Sequence, residues 1–164
     1  MEQTGAFLMI SIMKPKLGDR LFGGVVFFLS PNGRNGLVAA IDDQSVSATW
    51  SNGSFVTTGA TSITDGLANT NAIINVQGNT GAYAARICRN YNGGGYTDWF
   101  LPAKDQLNLM YARRNVIGGF AFQGIYWSST EVDVSMAADQ YFLNGEQINT
   151  TKNTVDRVRA IRAF

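Results

Sequence analysis

The sequence predicts an α+β domain, on three observations: a β-rich apolar start, helical periodicity in the middle, and a last third that returns to short strands and loops. Strands, helices and strands come in blocks, whereas a parallel α/β fold would alternate them. With 164 residues, 45% of them hydrophobic, the chain has the length of one domain and can bury a core. Residues 21–164 read as that domain, and residues 1–20 as an N-terminal arm of unassigned role.

The elements follow in order. Leu21 to Leu29 is a short β-rich run, with Gly23 and Gly24 marking a bend or bulge. Ser30-Pro31-Asn32-Gly33 is turn chemistry, and Asn35-Gly36 opens a second apolar run, Leu37 to Ile41, so the pair predicts a hairpin. Asp42 to Leu67 is rich in Ser, Thr, Gly and Asn. Because Trp50 and Phe55 need something to pack on, an ordered loop is expected there rather than a linker. Ala68 to Val76 and Gly81 to Tyr91 are helical, separated by Gly78; Ala84, Ile87, Cys88 and Tyr91 fall at helical spacing on one face. Pro102 is placed to start a third helix, with Asp105 in its first turn, an apolar stripe of Leu107, Met110 and Tyr111, and Arg113 and Arg114 at its end. The last third contains strands at Ile125 to Ser129, Gln140 to Leu143 and Val158 to Phe164, with a turn at Asn144-Gly145. An Arg on each face of that final apolar run, Arg159 and Arg162, calls for buried acidic partners, with Asp98 and Glu131 as candidates.

Composition excludes several classes of function. There is no histidine, which removes His general bases, Ser-His and Cys-His pairs and His-containing metal sites. The single cysteine, Cys88, permits neither an internal disulfide nor a thiolate cluster, and its helical spacing makes it a core residue. A net charge of +1 gives no basic field for nucleic acid. Ala6 to Met13, interrupted by Ser11, falls short of the roughly 20 residues of a membrane span. Glu2 before it and Lys14 and Lys16 after it reverse the charge order of a secretory leader, so none is expected.

Candidate chemistry is sparse. The adjacent acids Asp42 and Asp43 point to opposite sides of an extended chain, and Gly93 to Gly95 lacks the Lys and strand-to-helix setting of a phosphate loop. Ser128, Ser129, Thr130 and Glu131 have no base partner and read as turn-forming scaffold. Trp99 and Trp127 read as core. No catalytic residue, metal ligand or cofactor is assigned. The late aliphatics Val132, Val134, Met136, Leu143, Ile148 and Val155 stand among Ser, Thr, Asn and Asp without strand alternation, the mixture expected of a surface that holds a macromolecule.

Four separated phrases carry a family resemblance: Tyr96-Thr97-Asp98-Trp99-Phe100-Leu101-Pro102-Ala103-Lys104-Asp105; Leu107-Asn108-Leu109-Met110-Tyr111; Tyr126-Trp127-Ser128-Ser129-Thr130-Glu131; and Val158-Arg159-Ala160-Ile161-Arg162-Ala163-Phe164. With Gly23 to Phe27 and Gly36 to Ala40 ahead of them, they resemble the C-terminal ligand-binding domain of bacterial collagen-like adhesins and its phage and bacterial relatives, a branch of the C-type-lectin-like fold. The resemblance implies a small, twisted, mainly antiparallel sheet with two to three helices and chain ends close together. Relatives of this fold are target proteins of diversity-generating retroelements, in which codons near the C-terminus are rewritten while the scaffold stays fixed.

On that resemblance Ala137, Gln140, Phe142, Asn144, Gly145, Gln147 and Lys152 are scaffold. The variable ligand-binding positions are Val132, Asp133, Val134, Ser135, Met136, Ala138, Asp139, Tyr141, Leu143, Glu146, Ile148, Asn149, Thr150, Thr151, Asn153, Thr154, Val155 and Asp156. The implied partner is a cell-surface protein or glycan, and the implied location a virion or bacterial surface. Calcium-dependent sugar capture is not implied, since neither Glu-Pro-Asn, Gln-Pro-Asp nor Trp-Asn-Asp occurs. Two alternatives stand beside it: a sulfated-glycan adhesin using Arg113, Arg114, Arg157, Arg159 and Arg162, and a degenerate relative of the formylglycine-generating enzymes, whose required cysteine pair is missing.

Overall fold

The computed structural model describes residues 14–164, so the apolar stretch Ala6 to Met13 lies outside the described residues. In chain order the strands are β1 (Arg20–Leu21), β2 (Gly24–Leu29), β3 (Gly36–Ala39), β4 (Ser45–Thr49), β5 (Ile125–Glu131), β6 (Met136–Tyr141), β7 (Gln147–Thr151), β8 (Val155–Val158) and β9 (Ile161–Ala163). The helices are α1 (Gly66–Gln77), α2 (Ala84–Asn90), α3 (Lys104–Ala112) and the single turn α4 (Arg114–Ile117). The architecture is mixed α+β, built on two sheets rather than one small sheet. The first, ordered β1-β2-β3-β9, is wholly antiparallel. The second, ordered β4-β8-β5-β6-β7, has one parallel pair, β5 with β8.

The expected final strand is split, and this is why there are two sheets. β8 belongs to the second sheet and β9 to the first, and the chain crosses between them at buried Arg159 and Ala160. The Ala160 carbonyl accepts from the Ala40 amide (2.9 Å), while its own amide donates to Gln44 Oε1 (2.6 Å). The crossing sends the two arginines to different partners. Arg162 forks onto Asp98 (Nε to Oδ1, 2.6 Å; Nη2 to Oδ2, 2.8 Å) and donates to the Phe22 carbonyl (3.1 Å). Arg159 finds Asp43 (2.7 Å) and the carbonyls of Ile41, Gly118 and Gly119, not Glu131. Phe22 stacks on the last residue, Phe164, with ring centroids 4.2 Å apart, so the start of the domain meets its end.

Helix boundaries follow caps. α1 begins where the Asp65 carboxylate accepts from the Ala68 amide (2.9 Å), satisfying a donor the helix cannot pair internally. Its inward face is largely polar: Asn69, Thr70 and Gln77 are buried with Ile73. Each polar group binds a neighbouring loop, as in the Leu101 amide to Thr70 Oγ1 (3.0 Å) and the Asn52 amide to Gln77 Oε1 (3.1 Å). α3 starts after Pro102, not at it, because the Pro102 carbonyl accepts from the Ser129 amide (2.7 Å) and Ala103 is the cap residue. Trp50, Trp99 and Trp127 are fully buried in one apolar cluster with Val26, Ile73 and Cys88. A second cluster under α3 joins Phe27, Phe100, Leu107, Met110, Tyr126 and Phe142.

Candidate functional site

The nominated positions fall on the turn before β6, the β6–β7 hairpin, and the turn into β8. Met136 pairs with Thr151, Ala138 with Asn149 and Asp139 with Ile148, all antiparallel. Of the eighteen, nine are exposed, six half-buried and three buried. Val132, Asp133, Val134, Leu143, Glu146, Asn149, Thr151, Asn153 and Val155 are exposed; Ser135, Met136, Tyr141, Ile148, Thr150 and Thr154 are half-buried.

Ala138, Asp139 and Asp156 are the corrections: all three are buried and cannot meet a partner in this conformation. Ala138 lies against β5, its carbonyl accepting from Ser128 Oγ (2.7 Å). Asp139 pairs across with Trp127, and Asp156 with Ala48. The late aliphatics lack alternation because Val132, Val134 and Leu143 lie in turns and Met136, Ile148 and Val155 are on three different strands. β6 is flanked on both edges and buried from Ala137 to Gln140, so both of its faces are interior. The phrase Ser128 to Glu131 is likewise buried strand, not turn.

Behind the exposed side chains sits an ion pair of two scaffold residues. Lys152 Nζ lies 2.6 Å from Glu131 Oε1, and both side chains are essentially without solvent contact. The ammonium also donates to the carbonyls of Val56 (3.2 Å) and Val134 (3.0 Å) and stands 4.7 Å from the Trp50 ring. Glu131 accepts from the Thr58 amide (2.9 Å) and the Gly59 amide (2.9 Å). Burial pushes the Glu131 carboxyl up, but the Lys152 hydrogen bond and the two amides outweigh it and hold the group below its ordinary value. One buried charge pair therefore fastens three separate backbone segments: the Val56–Gly59 loop, the turn at Val134, and the turn at Lys152. Every donor of the ammonium is used, which is the condition under which such a pair is tolerated inside a protein.

The turn it holds is also braced locally. Asp133 accepts from the Ser135 amide (2.8 Å), the Ser135 hydroxyl (3.0 Å) and the Met136 amide (2.8 Å), which lowers its carboxyl below the usual range. At the other end of the hairpin, Asn144 accepts from the Glu146 amide (3.0 Å) and Gly145 takes a left-handed φ of 83°, the conformation the Asn-Gly pair foretells.

Phe55, expected to pack as Trp50 does, is instead exposed, and with Val56, which sequence reasoning missed, it stands on the loop that Lys152 and Glu131 draw against the late turns. The usable signal was that Lys152 is the only cation between Val132 and Asp156, a position where a lone charge needs a partner. Asp43 was also undervalued. It receives Arg157 (3.0 Å), Arg159 and the Tyr126 hydroxyl (3.0 Å) and is structural. Clefts of about 480, 420, 350 and 390 Å³ open elsewhere on the described surface, and these four have none of the eighteen positions in their walls. Among the described residues no group of three or more Cys, Asp or Glu could hold a metal ion, and no helix is long and apolar enough to cross a membrane. Neither the models of known protein families nor the curated proteins give a match to this chain.

Proposed function

We propose that this chain is a non-enzymatic binding module of the C-type-lectin-like class, which displays a variable surface on a fixed scaffold. The observation that carries the reading is the split between anchored and free residues in one segment. Of the seven positions assigned to the scaffold, Ala137, Gln140, Phe142 and Lys152 are buried, Gly145 and Gln147 half-buried and Asn144 exposed, while fifteen of the eighteen positions assigned to variation keep at least partial exposure. The exposed set mixes Val132, Val134, Leu143 and Val155 with Asn, Thr and two acids, a surface that offers apolar anchors and adaptable hydrogen bonding. The partner is a macromolecule of a cell surface, and the gene is a target of a diversity-generating retroelement.

A sulfated-glycan site is less well supported. The late segment exposes Asp133 and Glu146 but no cation, since Lys152 is buried. Of the five arginines, Arg157, Arg159 and Arg162 are bound to Asp43 and Asp98, Arg114 stacks on Tyr111 at 4.1 Å, and Arg113 alone is exposed. An enzyme of the formylglycine-generating type needs a cysteine pair, and this sequence has Cys88 alone.

The test is to replace Val134, Met136, Leu143 and Ile148 together with a different set of side chains of similar size. Cooperative thermal unfolding is expected to persist, with a midpoint within several degrees of the parent. Loss of the cooperative transition would show that these residues are core and would sink the reading. A near-copy of the late coding segment beside a reverse transcriptase gene is the genomic outcome expected.

A further inference from the structure

Two acidic side chains are buried within hydrogen-bonding reach of one another, with no cation among the described residues paired to either. Asp139 and Asp156 are 2% and 7% exposed, and they sit on β6 and β8, the strands that flank β5. Oδ1 of Asp139 and Oδ2 of Asp156 have no hydrogen-bond donor among the described residues. An unpaired buried carboxylate oxygen is costly, and two beside one another are costlier, because like charges repel strongly away from water. The residues paired with them are uncharged: Ala48 on β4, Trp127 on β5 and Ile148 on β7, with Thr150 beside Asp139. The cations on the surrounding elements are engaged elsewhere. Arg157 binds Asp43 and Lys152 binds Glu131, while Arg86 and Arg89 of α2 donate through Nη1 and Nη2 to the Gly81 carbonyl and Asn71 Oδ1, their Nε atoms making no hydrogen bond among the described residues.

We infer that Asp139 and Asp156 hold one proton between them, and that this carboxyl pair makes the strands beneath the variable surface responsive to pH. A shared proton supplies a donor: one carboxyl becomes an O–H that donates to the other, and the like-charge repulsion is removed. The pair, not either residue, is the titrating unit. Burial, then the neighbouring Asp139 charge and the hydrogen bond with it, push Asp156 up to about 7; burial also raises Asp139. A carboxyl raised on folding favours the folded state while it stays protonated. That advantage is complete below the ordinary value of 3.8 and is lost progressively as pH rises to about 7. Replacing one of the two with an apolar residue would leave a lone buried carboxyl.

The test compares urea unfolding of the full chain with its Asp156→Asn variant from pH 5 to pH 8, and requires no binding partner. The parent folding constant is expected to fall relative to the variant by up to about tenfold per pH unit between 5 and 7, the slope of one proton. Asn keeps an N–H donor toward Asp139 at every pH and removes the like charge, so the variant, which retains only the burial of Asp139, declines less and is the more stable protein at pH 8. Equal pH dependence in both proteins would overturn the inference. Should the variant fail to fold, carbon-13 carboxyl titration of the parent decides. One step near pH 7 assigned to the pair supports the shared proton, whereas two aspartate steps below pH 5 refute it.

Discussion

Replacing Lys152 with methionine tests the claim that a buried charge pair holds the late surface together. Methionine keeps most of the length and the apolar stem, so the change isolates the ammonium. That group binds Glu131 (2.6 Å) and the carbonyls of Val56 and Val134, and its loss strands a carboxylate whose side chain is 1% exposed. Removing one partner of a buried pair costs about 3–5 kcal/mol. The Thr58 and Gly59 amides still serve Glu131, which places the expected loss nearer about 3 kcal/mol than the upper end. Against a typical domain stability of about 5–15 kcal/mol, the variant should fold but unfold at clearly lower urea. The loss should also depend on pH. In the parent, Glu131 is held below its ordinary value of 4.5, so its contribution is full above that value and disappears as pH falls through the depressed one. In the variant burial acts unopposed by the ammonium and the carboxyl protonates more readily. The stability gap should therefore narrow as pH is lowered from 7 to 4. A gap under about 1 kcal/mol at pH 7, or one that does not change with pH, would refute the role assigned to the Glu131–Lys152 pair.

Two further outcomes follow from the core. Cys88 is fully buried and burial pushes its thiol well up, so a thiol reagent should leave the native protein unmodified at pH 8 and react at once in denaturant. Gly24→Ala should cost about 1–3 kcal/mol, read as a thermal midpoint several degrees lower, because the new methyl would enter the Ala39 carbonyl and crowd Trp99 at 3.2 Å. An unchanged midpoint would mean that β2 and β3 can separate freely.

Much of the fold was legible because it rests on local rules. The hairpin of β2 and β3, the three longer helices, and the burial of Trp99, Trp127 and Cys88 follow from periodicity, turn residues and helical spacing. Arg162 meets Asp98 as expected, because an arginine on an apolar strand demands an acid. The errors are non-local. β6 hid its periodicity by being interior on both faces, and α1 hid its inward side by burying Asn69, Thr70 and Gln77. Neither fact leaves a hydrophobic pattern to read.

What the chain alone determined is therefore its mixed α+β class and its block order of elements, since these depend on residue identity and short-range spacing. Tertiary structure alone decided the split of the last strand between two sheets, the choice of Asp43 for Arg159, the Glu131–Lys152 tether and the meeting of Asp139 with Asp156. Each of these joins residues far apart along the chain, and a charge takes whichever partner the backbone brings within about 3 Å. Sequence spacing does not encode that distance.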